Sequence, residues 1–292
     1  MKRVLAVVNP IAGKKKKIKP EDLFSKVIAD KVEVEWLYWS SPTMDIGSEV
    51  LALLKQSHFD IVVVFGGDGT VNRVAQALVF RPEALCIIPM GSGNGLARHL
   101  NISMNYEKAL QLLLNGQIRT IDAAKMNDTV YFCTAGIGFD AWIAYRFAHA
   151  GTRGLMTYVK MVVHEFFRYK SKWYELKFNN GQMAVKAFFI TIANANQWGN
   201  NVKVAPQAQI DDGKLDVIIL KPFKWVELPL LLIDLFFKRF HRSYRVKTIN
   251  VHSIQINTHD MHNYVHYDGE PLSIGQNLIF ESLPKALNVV VD

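Results

Sequence analysis

The sequence predicts two domains: an α/β domain with a doubly wound parallel sheet over residues 1–119, and a mostly antiparallel β-sandwich domain over residues 120–282. In the first part, apolar strand-like runs alternate with helix-like segments, which is the pattern of a parallel sheet. In the second part, strand-like runs follow one another with few helical interruptions. The chain has 292 residues and is 50% hydrophobic, enough for two cores. The tail, residues 283–292, is a candidate to return to the first domain.

The elements of the first domain follow from hydrophobic periodicity, because apolar runs predict strands and apolar residues at helical spacing predict helices. In chain order they are strand Val4–Val8, helix Pro20–Ala29, strand Val32–Trp39, helix Met44–Gln56, strand Ile61–Phe65, helix Thr70–Leu78, strand Ala84–Ile88, and helices Leu96–Leu100 and Tyr106–Leu114. Glycine turns follow the first, third and fourth strands. We expect all three at one edge of one sheet, where doubly wound folds bind ligands.

The elements of the second domain follow from β-branched and aromatic runs. The predicted strands are Val130–Thr134, Trp173–Phe178, Met183–Ala193, Leu215–Leu220, Val246–Ile256, Asn263–His266 and Leu278–Ser282. Helical segments are expected around residues 141–169 and 225–240. Successive strands with so few helices favour an antiparallel sandwich.

Composition narrows the class of partner. The formal net charge of +8 and the pI near 9.3 favour an anionic partner. Nucleic acid is not favoured, because the basic residues are not interleaved with aromatic residues on one predicted face. The sequence shows neither a signal peptide nor a run of the roughly 18 apolar residues that span a membrane, so we expect a cytoplasmic protein with transient, peripheral membrane contact. Cys86 and Cys133 are expected to be buried, reduced thiols.

The most informative segment is Gly-Gly-Asp-Gly-Thr at residues 66–70, between the apolar strand Ile61–Phe65 and a helical segment. A strand that ends in a glycine turn and opens a helix gathers free N–H groups and the positive helix end at one spot, which suits a phosphate. A bare carboxylate repels phosphate, so Asp68 suggests a metal ion between the protein and a nucleotide. A tight connection without a ligand is the alternative.

Six segments together carry a family resemblance. They are Asn9-Pro10-x-Ala12-Gly13, residues 66–72, Gly91-Ser92-Gly93-Asn94-x-Leu96-Ala97-Arg98, Gly136-x-Gly138-Phe139-Asp140, residues 210–216 and Asp268-Gly269-Glu270. In order and spacing they resemble the diacylglycerol kinase catalytic-domain family, which includes bacterial soluble lipid kinases and the sphingosine and ceramide kinases. The resemblance implies phosphoryl transfer from ATP, with Mg²⁺, to a lipid hydroxyl in a cleft between the two domains.

The resemblance also implies which residues meet the nucleotide. By position they are Asn9, Ser40, Gly66, Gly67, Asp68, Gly69, Thr70, Val71, Asn72, Gly91, Ser92 and Asn94. Ser41 and Thr43 are rivals of Ser40. Many bacterial relatives carry Asp where this chain has Gly95, which would leave Asp68 and Asp140 to hold the catalytic metal. This departure brings the segment closer to the sphingosine and ceramide kinases.

Three acidic positions carry the implied chemistry. Glu270 matches the general base that accepts the proton of the attacking hydroxyl, although Asp-Gly before it is also the ordinary pair of a hairpin turn. Asp140 matches an acid that joins the metal network from the second domain, and it would equally suit the cap of the helix that follows. Asp212, with the backbone carbonyls of Gln209 and Lys214, resembles a structural Mg²⁺ site; a plain Asp-rich turn is the alternative.

Three segments are candidates to meet lipid or anions. Residues 229–240 are apolar almost all round and are followed by basic residues, which suits insertion into a membrane interface, whereas a buried helix on the sandwich is the alternative. Residues 142–169 would line an acyl-chain cleft or pack in the core, with Phe147, Met156, Tyr158, Met161, Val162 and Phe166. The run Lys14–Lys17 is either a solvated loop or an electrostatic aid to ATP or membrane binding.

The leading hypothesis is therefore a cytoplasmic lipid kinase that uses Mg-ATP to phosphorylate the hydroxyl of a lipid such as diacylglycerol. A sphingoid base, ceramide and phosphatidylglycerol are alternative substrates, and a kinase for a soluble molecule such as NAD would share the Gly-Gly-Asp-Gly turn. A non-catalytic regulatory protein that binds nucleotide or membrane is the alternative from a different class, and the presence of Asp68, Asp140 and Glu270 argues against it. The oligomeric state stays open, a homodimer included.

Overall fold

The computed structural model describes residues 1–12, 19–41, 44–150, 155–179, 181–258 and 263–292. Gly13, the run Lys14–Lys17 and Thr43 lie outside the described residues, as do the side chains of Met156 and Tyr158. The chain forms two compact units: Met1–Ala123 with Gly199–Asn201 and Pro284–Asp292, and Ala124–Trp198 with Val202–Leu283. The sequence-based boundaries lie at 119/120 and 282/283, and they leave residues 199–201 in the second domain.

The first unit is built on parallel strands with helices between them. Its elements are β1 (Lys2–Val8), α1 (Pro20–Val27), β2 (Val32–Tyr38), α2 (Ile46–Gln56), β3 (Ile61–Gly66), α3 (Asp68–Ala77), β4 (Ala84–Pro89), α4 (Gly95–His99) and α5 (Tyr106–Asn115). The strands lie in the order β2-β1-β3-β4, all parallel. Every residue of β3 and β4 is buried, as expected of strands covered on both faces. The predicted α/β fold is confirmed.

Local sequence signals mark the starts of several helices in the first unit. Pro20 opens α1, followed by the acidic Glu21 and Asp22, which suit the positive helix end. The side chain of Asp45 accepts a hydrogen bond from Gly47 N at the start of α2, and Asn105 accepts two at the start of α5. The helix α3 starts two residues earlier than predicted, because Gly67 already serves as its N-cap.

The second unit is mostly strands. Its elements are β5 (Gln117–Met126), β6 (Thr129–Tyr131), β7 (Thr134–Gly138), α6 (Phe139–Ala148), α7 (Leu155–Phe166), β8 (Lys172–Phe178), β9 (Gly181–Ala187), β10 (Phe189–Ala193), β11 (Leu215–Leu220), α8 (Leu228–Phe236), β12 (Val246–Val251), β13 (Ser253–Thr258), β14 (Asn263–Tyr267), β15 (Glu270–Ile274) and β16 (Asn277–Val291). The first part of β5 and the last part of β16 belong to the first unit.

Two antiparallel arrangements form the sandwich of the second unit. One is the six-stranded sheet β12-β11-β10-β7-β14-β15, and the other is the series β16-β13-β8-β9. In β11, Leu215, Val217 and Ile219 face the core shared by both sheets, while Ile218 and Leu220 pack with residues of α6 and α8. The predicted β-sandwich is confirmed, with helices covering the outer face of the six-stranded sheet.

Several predicted elements needed correction. The runs Met183–Ala193 and Val246–Ile256 are each two strands, broken at Phe188 and His252, because the chain leaves one sheet and enters the other at those residues. The run Val130–Thr134 divides into β6 and β7, and the helical segments near 141–169 and 225–240 contain α6 with α7, and α8 flanked by two 3₁₀ turns. The strands β5 and β15 were not predicted.

Cys86 and Cys133 are both buried and free, as predicted. Burial raises the pKa of the Cys86 thiol to about 12. None of the helices in the described part of the chain is long and apolar enough to cross a bilayer.

Candidate nucleotide and phosphoryl-transfer site

The turn after β3 delivers a helix N-terminus directly from the end of a buried strand. Gly66 ends β3 and Asp68 begins α3, so only Gly67 lies between them. The N–H groups of Asp68, Gly69 and Thr70 stand in the first helical turn, where no helical carbonyl precedes them. A Cβ on Gly66 would lie 2.6 Å from the Thr70 Cβ. Glycine is therefore required here, and the turn presents N–H groups suited to an anion.

The turn after β4 is closed by an asparagine. Asn94 has a left-handed backbone, with φ of 48°, which asparagine tolerates better than most residues. Its Oδ1 accepts a hydrogen bond from Gly91 N at 2.9 Å, and its Nδ2 donates to Gly91 O at 2.8 Å. A Cβ on Gly91 would lie 2.7 Å from the Gly67 Cα. The two glycine turns therefore touch through their glycines.

Asp68 links these two turns by hydrogen bonds. Its Oδ2 accepts from Asn94 N at 2.8 Å and its Oδ1 from Gly95 N at 2.6 Å, so a residue of α3 caps α4. A Cβ on Gly93 would lie 2.5 Å from Asp68 Oδ2, which leaves room only for glycine. Burial raises the pKa of Asp68, although the hydrogen bonds from Gly95 and Asn94 oppose the rise. This linking role was not predicted, and contact of Asp68 with a metal ion stays a prediction.

The turn after β1 reaches the same place. Asn9 Nδ2 donates to Thr70 Oγ1 at 2.8 Å, and Asn9 N donates to Phe65 O at 3.0 Å. The expectation that the three glycine turns share one sheet edge is confirmed. The short segment Gly199–Asn201 also belongs to this unit, and Asn200 N donates to Gly93 O at 3.0 Å. Nothing in the sequence signalled that contact.

The remaining residues predicted to meet nucleotide differ in exposure. Val71 and Asn72 are buried within α3, and Asn72 Oδ1 accepts a hydrogen bond from Gln76 Nε2 at 2.8 Å. Ser92 is exposed in the second turn, and Ser40 is exposed beyond the end of β2. Burial makes Val71 and Asn72 supports of the turn, whereas Ser92 is open to a ligand; nucleotide contact by any of them stays a prediction.

In the second unit, Asp140 lies in a buried polar cluster. Its Oδ1 accepts from Ala141 N at 2.8 Å, and its Oδ2 accepts from Thr191 Oγ1 at 2.9 Å and lies 3.2 Å from His266 Nε2. Gly136 makes room for this cluster, because a Cβ there would collide with Asp140 Oδ2. His266 Nδ1 is buried without a hydrogen-bond partner among the residues described. The tautomer with its proton on Nε2 would donate a hydrogen bond to Asp140 Oδ2. Sequence reasoning missed Thr191 and His266, which carry no motif. A metal-binding role for Asp140 stays a prediction.

The hairpin between β14 and β15 is fixed by one carboxylate. Asp268 and Gly269 have φ of 45° and 86°, as in a tight two-residue hairpin. The Asp268 carboxylate accepts hydrogen bonds from three successive backbone N–H groups, those of Phe132 at 2.9 Å, Cys133 at 2.8 Å and Thr134 at 3.0 Å. Asp268 is part of a motif that the sequence predicts, but the sequence did not indicate this anchoring role.

Glu270 directly follows that anchored turn. It is half-buried at the start of β15, opposite Tyr267 of β14, and Tyr267 Oη donates to Glu270 Oε2 at 3.4 Å. The Asp-Gly hairpin that was the alternative interpretation is therefore present. The Glu270 carboxylate thus lies half-buried at the start of a strand rather than on a solvated loop, and its role as general base stays a prediction.

The turn before β11 contains the predicted structural metal site. Asp212 is exposed, and its Oδ1 accepts a hydrogen bond from Lys214 N at 3.0 Å, while Gln209 is exposed nearby in the chain. Asp216 is buried, and burial raises its pKa; the negative charge of Asp212 adds to the rise, whereas a hydrogen bond from Asn250 opposes it. The negative charge of Asp212 close to a buried carboxylate would favour a cation, yet the contacts of Asp212 are also those of a plain turn. Metal binding by Asp212, Gln209 and Lys214 stays a prediction.

Comparison with known proteins decides the family. Residues 3–126 match the diacylglycerol kinase catalytic domain, and residues 133–291 match the YegS C-terminal NAD kinase beta sandwich-like domain. The chain belongs to the diacylglycerol kinase family. Within that family it is a lipid kinase, and the kinase class implies ATP as the phosphoryl donor.

Individual relatives agree with this assignment. A probable lipid kinase, YegS-like, from Serratia proteamaculans (strain 568) is 30% identical over 77% of this chain and 74% of its own length. Another YegS-like probable lipid kinase, from Pectobacterium atrosepticum, is 33% identical over 55% of this chain and 56% of its own length. A diacylglycerol kinase from Staphylococcus aureus (strain JH9) is 25% identical over 78% and 73%. The crystal structure of a diacylglycerol kinase from Bacillus anthracis str. Sterne has the same fold, with a TM-score of 0.76 at 21% identity over 100% of this chain and 97% of that chain.

The donor set of this lipid kinase suits a Mg²⁺ ion shared with phosphates rather than one enclosed by protein. Within the described ranges, no group of three or more His, Cys, Asp or Glu side chains is arranged to hold a metal ion. Magnesium in phosphoryl-transfer sites keeps water and phosphate ligands and needs only one or two carboxylates. Asp68 is a single carboxylate beside the N–H groups at the start of α3, so it fits such a ligand set.

Proposed function

We propose that this lipid kinase transfers the γ-phosphoryl group of ATP to the hydroxyl of diacylglycerol. The description of its N-terminal domain and the name of the Staphylococcus relative support diacylglycerol as the acceptor. A sphingoid base, ceramide and phosphatidylglycerol present the same reacting group, an alcohol, and differ in the head that surrounds it. They are therefore arms of the test rather than a different reaction.

The observation that carries the proposal is the anchored position of Glu270. In the reaction, the acceptor oxygen forms a bond to the γ-phosphorus, the bond from that phosphorus to the β–γ bridging oxygen breaks, and ADP leaves. The hydroxyl proton passes to the Glu270 carboxylate. Three N–H groups hold Asp268, two residues before Glu270, so the base is fixed before substrate arrives.

The first unit supplies the phosphate-binding part of the proposal. The N–H groups at the start of α3 would bind the ATP phosphates, and Asp68 would keep the two glycine turns in register while it holds Mg²⁺. Held there, Mg²⁺ would supply positive charge that offsets the negative charge of the phosphates. Asn9 supports this arrangement through its hydrogen bond to Thr70.

The test is phosphoryl transfer from labelled ATP with Mg²⁺ to lipids in mixed micelles. Separate reactions contain diacylglycerol, a sphingoid base, ceramide or phosphatidylglycerol, and the labelled products are resolved. We expect the labelled product of diacylglycerol. If only another of these lipids is labelled, that lipid replaces diacylglycerol as the proposed acceptor. If none of the four lipids is labelled, the proposal is refuted.

The role of Glu270 is tested by Glu270→Gln, which keeps size and removes the base. We expect the rate to fall by about 10²–10⁴-fold, the range for a lost general base, with ATP binding unchanged. The matched control is Glu281→Gln, since Glu281 is exposed on β16 of the same unit. Equal rates for Glu270→Gln and the control would remove Glu270 from the mechanism.

A further inference from the structure

The helix α8 and its flanks expose an unusual amount of apolar surface. Trp225 is 72% exposed, Phe236 77% and Phe237 68%. The α8 surface consists of these and other exposed side chains: Trp225, Val226, Leu230, Leu232, Ile233, Phe236, Phe237 and Tyr244. Large exposed apolar patches mark interaction surfaces, whereas exposed apolar residues that stand singly do not.

The pattern along the helix is the reverse of an ordinary surface helix. Leu231 is buried in the core of the second unit and Leu235 packs against it, which is one row at i and i+4. The other rows, Leu230 with Ile233 and Phe237, and Leu232 with Phe236, are exposed although apolar. A surface helix usually places polar residues there. One face of α8 is thus held by the protein, and the remaining apolar rows have no partner within the described residues.

Basic residues surround the α8 surface. Residues 224–247 contain six Lys or Arg and two acids. One of those acids, Glu227, is paired with Arg245 at 2.9 Å. Lys224, Lys238, Arg239, Arg242 and Lys247 are exposed. Apolar side chains bordered by cations, with Trp225 and Tyr244 at the two ends, match the layers of an anionic membrane interface.

We propose that the α8 surface docks this kinase onto an anionic lipid bilayer, with the apolar rows of α8 inserted among the acyl chains and the flanking cations at the head groups. The basic residues favour a bilayer over a second copy of the chain as the partner. A symmetric contact between two copies would place the same basic residues opposite each other, where they would repel. A bilayer also needs no groove, and α8 is a convex helix. The proposal deepens the proposed function, since a lipid acceptor has to be reached in its membrane.

The test is co-sedimentation of the full chain with vesicles, without ATP, so that binding is read independently of catalysis. One set of vesicles is phosphatidylcholine and the other an equimolar mixture of phosphatidylcholine and phosphatidylglycerol. We expect the wild type to prefer the mixed vesicles by about tenfold or more at low salt. The double variant Phe236→Gln with Phe237→Gln should lose about tenfold or more in partitioning onto them.

Matched controls separate insertion from loss of folding. Ile118→Gln changes an apolar residue that is 62% exposed in the first unit, and it should bind vesicles like the wild type. Because the changed side chains are exposed, all variants should keep the wild-type thermal midpoint. Lys238→Gln with Arg239→Gln should remove the preference for phosphatidylglycerol, whereas Lys177→Gln, an exposed change on β8, should not.

Three outcomes would overturn the proposal. The first is vesicle binding by the Phe236/Phe237 variant equal to that of Ile118→Gln. The second is failure of the folded wild type to bind either vesicle. The third is a wild-type dimer that the Phe236/Phe237 variant converts to monomer with vesicle binding unchanged, which would make the α8 surface a contact between copies. If vesicle binding behaves as expected but no lipid is phosphorylated, only the proposed function fails.

Discussion

Asp68 and Asp268 each accept backbone hydrogen bonds from a segment distant in sequence. Asp68 receives the N–H groups of Asn94 and Gly95, and Asp268 receives three from residues 132–134. Hydrogen bonds to a charged acceptor contribute about 1.5–3 kcal/mol each, more than neutral ones. One carboxylate therefore fixes the two glycine turns of the first unit, and the other fixes the turn that precedes Glu270.

We predict that Asp268→Asn lowers kcat through Glu270. Asparagine tolerates the left-handed backbone of this turn, but it offers one acceptor oxygen where the carboxylate offers two. The free energy of unfolding should fall by about 1–3 kcal/mol and kcat by about tenfold or more. The KM for ATP should be unchanged, because the glycine turns that we propose bind the ATP phosphates lie in the first unit. Steady-state kinetics and urea unfolding measure both.

The matched control for that substitution is Asp128→Asn, an exposed position in the same unit. It should leave kcat and stability at their wild-type values. A wild-type kcat for folded Asp268→Asn would show that the anchor does not position Glu270.

At the scale of elements, β11 shows how burial on both faces constrains a strand. Its apolar residues alternate between the core shared by the two sheets and the layer under α6 and α8. Asp216 is the exception, a buried carboxylate four residues after Asp212. Its hydrogen bond from Asn250 of β12 compensates only part of the cost of burying a charge.

We predict that Asp216→Asn stabilises the protein increasingly as pH rises. The pKa of Asp216 is raised in the folded state, so its favourable contribution is complete below the ordinary value of 3.8 and is lost as pH rises through the folded pKa. The difference in free energy of unfolding between variant and wild type should therefore grow from pH 4 to neutrality. Urea unfolding over a pH series measures it.

The stabilities of the wild type and Asp216→Asn can also be compared with and without Mg²⁺. If the Asp212 turn binds Mg²⁺, the ion should stabilise the wild type and narrow the difference from Asp216→Asn at neutral pH. Asp128→Asn serves as the control for loss of one carboxylate. A difference that stays constant with pH would contradict the assigned cost of the Asp216 charge.

At the scale of the whole molecule, the last strand belongs to both units. Residues 277–281 of β16 pair with β13 in the second unit, and residues 288–289 pair with β4 in the first. The chain thus returns to its N-terminal unit only after the second unit is complete. The core of the first unit consequently depends on residues that follow the second unit in the chain, including the buried Leu287 and Val289.

We predict that Leu287→Ala destabilises the first unit although it lies at the far end of the sequence. Leu287 is 1% exposed, so its truncation should cost about 2–5 kcal/mol, as for a buried leucine. Ile279→Ala on the same strand is the control, because Ile279 is 45% exposed and its loss should cost about 0.5 kcal/mol or less. Urea unfolding gives the free energies. Hydrogen exchange should show faster opening of β4 in Leu287→Ala, and equal stability of the two variants would contradict the prediction.

The sequence by itself determined the fold class, the positions of the glycine turns and the family, because these depend on local periodicity and on motifs of consecutive residues. Only the tertiary structure decided what those motifs contact. It showed that Asp68 caps α4, that Asp268 binds residues 132–134, and that Thr191 and His266 enclose Asp140. It also showed that two predicted strands each divide between sheets and that α8 buries one row of apolar side chains while its other apolar rows are exposed. Long-range hydrogen bonds and burial depend on which distant segments are in contact, and the local hydrophobic periodicity of a sequence does not specify those contacts.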